Sequence, residues 1–126
     1  MLQAPGLVMS LVLATILVVG NGLALFGVHG SANGTFGPHS GLVGVHTAAT
    51  RSSDAAWLAA NRAAWPWALA LNGGAIFAAI VGGVLGNTVA PFIGFMAMAV
   101  LLSLAAAVAQ IVIGHRAAQR ELGERD

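Results

Sequence analysis

Arg51-Ser52-Ser53-Asp54-Ala55-Ala56-Trp57-Leu58-Ala59-Ala60-Asn61-Arg62 is the one interior island of charge in this 126-residue chain. On either side of it, from Met1 to Thr50 and from Ala63 to Gly114, there is no Asp, Glu, Lys or Arg. His29, His39 and His46 are the only ionisable side chains in those two tracts. Charged residues make up 7% of the sequence, against roughly a quarter in an ordinary soluble domain. Apolar residues make up 58%, and the mean hydropathy is +0.87. Too little polar surface remains to face water, so the chain reads as an all-α integral membrane protein of one domain.

Length places the spans. A helix rises about 1.5 Å per residue and the hydrocarbon core is about 30 Å thick, so roughly 20 apolar residues cross it. The first such run is Leu7 to Gly27. The tract from Ala63 to Gly114 is too long for one helix, and Gly86-Asn87-Thr88-Val89-Ala90-Pro91 in its middle supplies turn formers and a helix-starting proline. It predicts a hairpin of two spans, 66–86 and 92–114, with a motif loop over 28–65 and a tail over 115–126. Helices are expected because backbone groups cannot stay unpaired in lipid, and the alternating segments of a β-barrel are absent from the sequence. A cleavable leader is the competing reading of the first run. Met1 to Gly6 carries no Lys or Arg, the apolar run exceeds the usual leader core, and Gly30-Ser31-Ala32 is a weak cleavage site, so a retained span is expected.

Three spans put Arg51, Arg62, Arg116, Arg120 and Arg125 on one side. The positive-inside rule makes that side cytoplasmic, with the N-terminus outside. Trp57, Trp65 and Trp67 bracket the start of the second span and read as interface anchors. The absence of Lys, with heavy use of Ala and Gly, points to a GC-rich bacterial genome and hence to the bacterial inner membrane. A net charge of +1 offers no basic stripe for nucleic acid, and zero cysteines exclude a disulfide framework or thiolate metal site.

Within the loop, Gly27, Gly30, Gly34, Gly37, Gly41 and Gly44 with Pro38 oppose regular helix and suggest irregular chain or short strands. Beyond them Ser52 or Ser53 can cap a short interfacial helix, whose positive end suits Asp54. Trp57, Asn61 and Trp65 recur on one face of that helix, laid on the membrane or on the bundle, with Trp57 expected at least half buried. Asp54 and Arg62 are then available to solvent or to a partner.

The segment Gly41-Leu-Val-Gly44-Val-His46-Thr47-Ala-Ala-Thr-Arg-Ser-Ser53-Asp54-Ala-Ala-Trp57-Leu-Ala-Ala-Asn61-Arg62 resembles the hallmark of the SdpI family of small bacterial membrane proteins. That hallmark is a glycine-hydrophobic-Arg-Thr element, a spacer, then Ser-Asp/Glu-x-x-Trp-x-x-x-Asn/His-Arg leading into a transmembrane hairpin. The resemblance covers the loop and the hairpin's hydropathy. It departs from the pattern at His46, where the family usually has Arg, so a group that titrates near neutrality replaces a permanent charge. The family's namesake protects bacteria from a secreted membrane-active peptide and relays its presence by holding a transcriptional repressor at the membrane. The resemblance implies that Gly44, His46, Thr47, Asp54, Trp57, Asn61 and Arg62 form the motif and its contact surface.

Catalytic chemistry is sparse. There is no legible nucleophile with its base, and His29, His39 and His46 match no known metal-ligand spacing. They read as polar loop histidines, and His115 beside Arg116 as a helix-end residue. The spans also lack the buried acid or Lys of a coupled exporter. No enzyme activity and no cofactor are expected.

Polar residues inside the spans are few. Asn21, Asn72 and Gln110 fall in the cytoplasmic third at similar depth, where they either share hydrogen bonds inside the bundle or bond separately to backbone and headgroups. His46 is the loop's candidate contribution to such a layer, weakening it on losing its proton above about pH 6.5. Gly74, Ala78, Gly82 and Gly86 recur every fourth residue and read as a helix-packing face. The expected function is resistance to, or sensing of, membrane-active peptides or envelope stress. The partners are then the bilayer, a peptide or other membrane chains, and a cytoplasmic protein at the loop. The alternative is a structural accessory subunit of a larger membrane complex.

Overall fold

The structure, a computed structural model, describes residues 3–39, 44 and 46–125, for 124 and 125 the backbone only. Gly41 of the motif segment lies outside the described residues. Three α-helices make up the fold: α1 (Leu7–Ala32), α2 (Asp54–Val84) and α3 (Ala90–Arg125). Each is long and apolar enough to cross a membrane, and the chain is a multi-pass, all-helical membrane protein. No strand occurs among the described residues.

Each helix start has its own cause. α2 begins where the Ser53 hydroxyl accepts the Ala56 N–H at 3.0 Å, with Asp54 in the first turn at the positive end of the helix. α3 follows a turn in which both the Thr88 N–H (2.9 Å) and its hydroxyl (2.7 Å) donate to the Leu85 carbonyl, and Pro91 occupies its first turn, where no N–H is needed. α1 has no side-chain cap. Instead Gly6, at φ 89°, donates its N–H to the Gly86 carbonyl at 2.9 Å, tying the head of α1 to the α2–α3 turn.

α2 is the centre of the molecule, with α1 and α3 packed on its two sides and scarcely touching each other. The reason lies in its buried positions, which are mostly alanine and glycine. In lipid no hydrophobic effect drives helices together, so close approach over small side chains supplies the packing energy. Toward α1, Ala64 and Ala68 pack on Val28, and the Ser10 hydroxyl donates to the Gly83 carbonyl at 2.6 Å. A Cβ on Gly83 would stand 2.8 Å from that of Ala14. Toward α3, a Cβ on Gly74 would meet Leu102 at 3.3 Å and one on Gly82 would meet Met96 at 3.1 Å, while Ala78 and Ala79 pack on Ala99. Of the four-residue stripe, Gly74, Ala78 and Gly82 therefore meet α3, whereas Gly86 lies in the turn against Ser10 and Gly6.

Boundaries differ from the sequence expectation in three places. The expected short interfacial helix and the second span are one helix that passes through Pro66. A proline removes one N–H donor, and the continuous buried face of Ala56, Trp57, Ala60, Asn61 and Ala64 holds the helix across the gap. α1 runs past Gly27 and Gly30 to Ala32, because the Phe36 ring lies directly on Gly30 and the two glycines are buried against neighbours. The expected tail over 115–126 is helical through Arg125, since Ala118 packs with Ala56 and Ala60, and Leu122 joins them.

Gly83→Leu is expected to push α1 off α2 and lower stability by about 1 to 3 kcal/mol, the usual cost of overpacking. Gly73→Ala, with open space around it, is expected to be neutral or slightly stabilising. Thermal unfolding of the purified variants in mild detergent measures both.

Candidate functional site

Two polar regions stand out, one at the end of the bundle where the arginines gather and one between the helices. The first is built around Trp57, which is only 1% exposed. Its indole N–H donates to the Phe36 carbonyl at 2.8 Å, and the Phe36 N–H donates in turn to the Gly30 carbonyl at 3.1 Å. Of the two places expected for Trp57, interface and bundle, the structure gives the bundle: the chain after α1 folds over it. Trp65 is half-buried against His29, with ring centroids 4.7 Å apart, and Trp67 alone of the three is exposed.

Gly44 closes the other side of the indole. Its φ of 82° suits glycine, and a Cβ there would stand 2.9 Å from the Trp57 ring, 2.5 Å from the Ser31 hydroxyl and 3.0 Å from the Asn61 side-chain oxygen. His46 packs edge-on to Trp57 at 4.9 Å, with Nδ1 3.2 Å from the Gly44 carbonyl. Donation from Nδ1 leaves Nε2 as a buried acceptor with no hydrogen-bond partner among the described residues. Asn61, fully buried, donates to the Trp57 carbonyl at 2.9 Å. Gly44, His46, Trp57 and Asn61, scattered over the motif, thus form one buried knot.

Two further motif residues tie this knot to the helices. Thr47 and Thr50 bond to each other's backbone N–H at 2.7 and 3.2 Å, forming the turn that leads to the Ser53 cap. The Thr47 hydroxyl lies 2.8 Å from Nδ1 of His115, which links the loop to α3. Arg62 is exposed, yet its Nε donates to the Ala32 carbonyl at 3.0 Å and so satisfies one of the orphan carbonyls at the end of α1. Asp54 lies exposed beside a cleft of about 290 Å³ lined by Gly34, Phe36, Gly37, Pro38, Trp57 and Leu58, and a second cleft is lined by His39, His46, Thr47, Ala48 and the exposed Arg51.

The second region is a cavity of about 300 Å³ lined by all three intramembrane amides, Asn21, Asn72 and Gln110, together with Ser103 and apolar residues of α1 and α3. Asn21 donates to the Ser103 hydroxyl at 2.9 Å and to the Leu17 carbonyl at 2.9 Å, while Ser103 donates to the Ala99 carbonyl at 2.7 Å. Asn72 is 3% exposed and its Nδ2 has no hydrogen-bond partner among the described residues.

The three amides do not all stand at one level. Eleven residues along each helix from the Ser10–Gly83 bond, Asn21 and Asn72 are level with each other, and ten residues of α2, about 15 Å, separate Asn72 from Arg62. Gln110, seven residues beyond Ser103, sits about 10 Å nearer the arginine end. His46 does not reach the layer, because Trp57, on which it packs, is fifteen residues of helix from Asn72, about 22 Å.

Sequence reasoning over amides and charges passed over Ser10, Ser31 and Ser103. Hydroxyls inside apolar spans were the available signal for all three. Phe36, whose carbonyl holds Trp57, carries no such signal, since a backbone acceptor looks the same at every residue. No three of His, Cys, Asp and Glu converge on a point that could hold a metal among the described residues.

Comparison with protein families, curated proteins and solved structures returns no match to this chain.

Trp57→Ala is expected to cost about 3 to 5 kcal/mol of stability, and Trp57→Phe about 1 kcal/mol through the lost bond to Phe36. Asp54→Asn, at an exposed position, is expected to change stability by no more than about 0.5 kcal/mol. Thermal unfolding in detergent measures the three together.

Proposed function

We propose that this chain is an SdpI-like protein of the bacterial inner membrane that, without enzymatic activity, confers resistance to membrane-active peptides and reports their presence. The support is the motif's residue order and spacing, together with the way its residues are disposed. The observation that carries the reading is the exposed Asp54 carboxylate beside the Gly34–Pro38 cleft, while most of the motif is consumed in holding the loop on Trp57. A fold that buries its motif tryptophan and leaves one carboxylate at a cleft is arranged to present that carboxylate. A partner protein's Arg or Lys is the natural complement, through a charge-assisted hydrogen bond.

In this reading the arginine end is cytoplasmic and the N-terminus outside, because Arg51, Arg62, Arg116 and Arg120 all gather at one end of the three helices. The partner at Asp54 is then a cytoplasmic protein held at the membrane, and the apolar bundle meets the peptide within the bilayer. An accessory-subunit role has less support. The small-residue stripe that would receive a partner helix is occupied inside the chain by Leu102, Ala99 and Met96 of α3.

Two measurements test the proposal. In a deletion strain challenged with a cationic membrane-active peptide, Asp54→Asn is expected to accumulate to wild-type level yet weaken partner retention at the membrane by roughly 10- to 100-fold, as loss of a bond worth about 1.5 to 3 kcal/mol implies. Full complementation by Asp54→Asn would remove the contact role. Reporter fusions at the C-terminus are expected to be active inside, and those in the Asn87 turn outside. The reverse pattern would overturn the orientation.

A further inference from the structure

The cavity between the helices has a chemistry that the proposed function does not use. Its lining contains no ionisable group, so it offers nothing to a phosphate, a carboxylate or an ammonium. What it offers is neutral hydrogen bonding. The Asn72 amide is buried with an Nδ2 unpartnered among the described residues, and Asn21, its Nδ2 engaged by Ser103 and Leu17, retains its side-chain oxygen as an acceptor. A buried amide donor left unsatisfied is costly, so a cavity that holds one is a place where a partner belongs.

Chemistry and size select the partner. The uncharged lining has nothing to hold a charged lipid headgroup, and an acyl chain has no hydrogen-bonding group. The carbonyls of a helical peptide are already bonded to its own backbone. A volume of about 300 Å³ lies at the small end of ligand pockets, room for one ring and its substituents. Access is lateral, since α1 and α3 flank α2 and scarcely touch.

We propose that the cavity between α1 and α3 binds the head group of a neutral, membrane-dissolved quinone or quinol. A ring oxygen accepts from the Asn72 amide, and in the quinol form a ring hydroxyl donates to the Asn21 side-chain oxygen. No redox step is assigned to the protein, which acts here as a receptor for the ring.

The test uses the full chain in uncharged phosphatidylcholine nanodiscs, with a short-chain ubiquinone as probe and decanol as a ring-less control. Quinone is expected to raise the unfolding temperature of wild type saturably, as a ligand bound only by the folded state must. Asn72→Leu is expected to unfold at or above the wild-type temperature without ligand, because the unpartnered amide is gone, and to bind quinone roughly tenfold more weakly. Asn21→Leu serves as the second variant, with the same weakening expected. The proposal is overturned if quinone leaves wild type unshifted, if decanol shifts it equally, or if both variants respond like wild type. It is also overturned if Asn72→Leu is strongly destabilised with no quinone effect on wild type, since the amide is then held by water as a purely structural group.

Discussion

Close backbone approach over alanine and glycine is the constraint on which the rest of this structure depends. α2 presents such residues to both neighbours, so two helices come near enough for Ser10 to reach the Gly83 carbonyl on one side and for Met96 to lie on Gly82 on the other. Larger residues at these positions would separate the helices, and lipid would fill the space at little cost, because lipid tails are as apolar as leucine. The packing also sets register. Once Ser10 is level with Gly83, Asn21 is level with Asn72, and Ser103 of α3 comes within hydrogen-bond distance of Asn21.

A flat arrangement follows from having one central helix. α1 and α3 scarcely touch, the Asn21–Ser103 bond links them, and the space beside that bond is the cavity.

At the arginine end the organising element is a single aromatic side chain. Trp57 receives the Phe36 carbonyl from one segment of the loop, Gly44 and His46 from another, and Asn61 from its own helix. This is how a loop rich in glycine holds its shape: backbone groups and a positive φ do the work that apolar side chains do elsewhere. With the indole buried, Asp54 and Arg62 remain exposed at this end of the molecule.

The amino-acid sequence by itself determined the membrane, the three helices, a serine cap at Ser52 or Ser53 and the gathering of arginines at one end, because hydropathy, span length and capping are local properties. The glycine stripe was legible as a packing face from its four-residue period, and Asn21, Asn72 and Gln110 stood out as rare amides in apolar runs. Tertiary structure alone decided that the motif helix and the second span are continuous through Pro66, since the buried face that bridges them is made with other segments. It also chose the bundle over the lipid interface for Trp57, set Gln110 apart from the level of Asn21 and Asn72, and kept His46 out of the amide layer. Each of these depends on register between segments distant in sequence, and register comes from which small residues meet, a property no single helix carries.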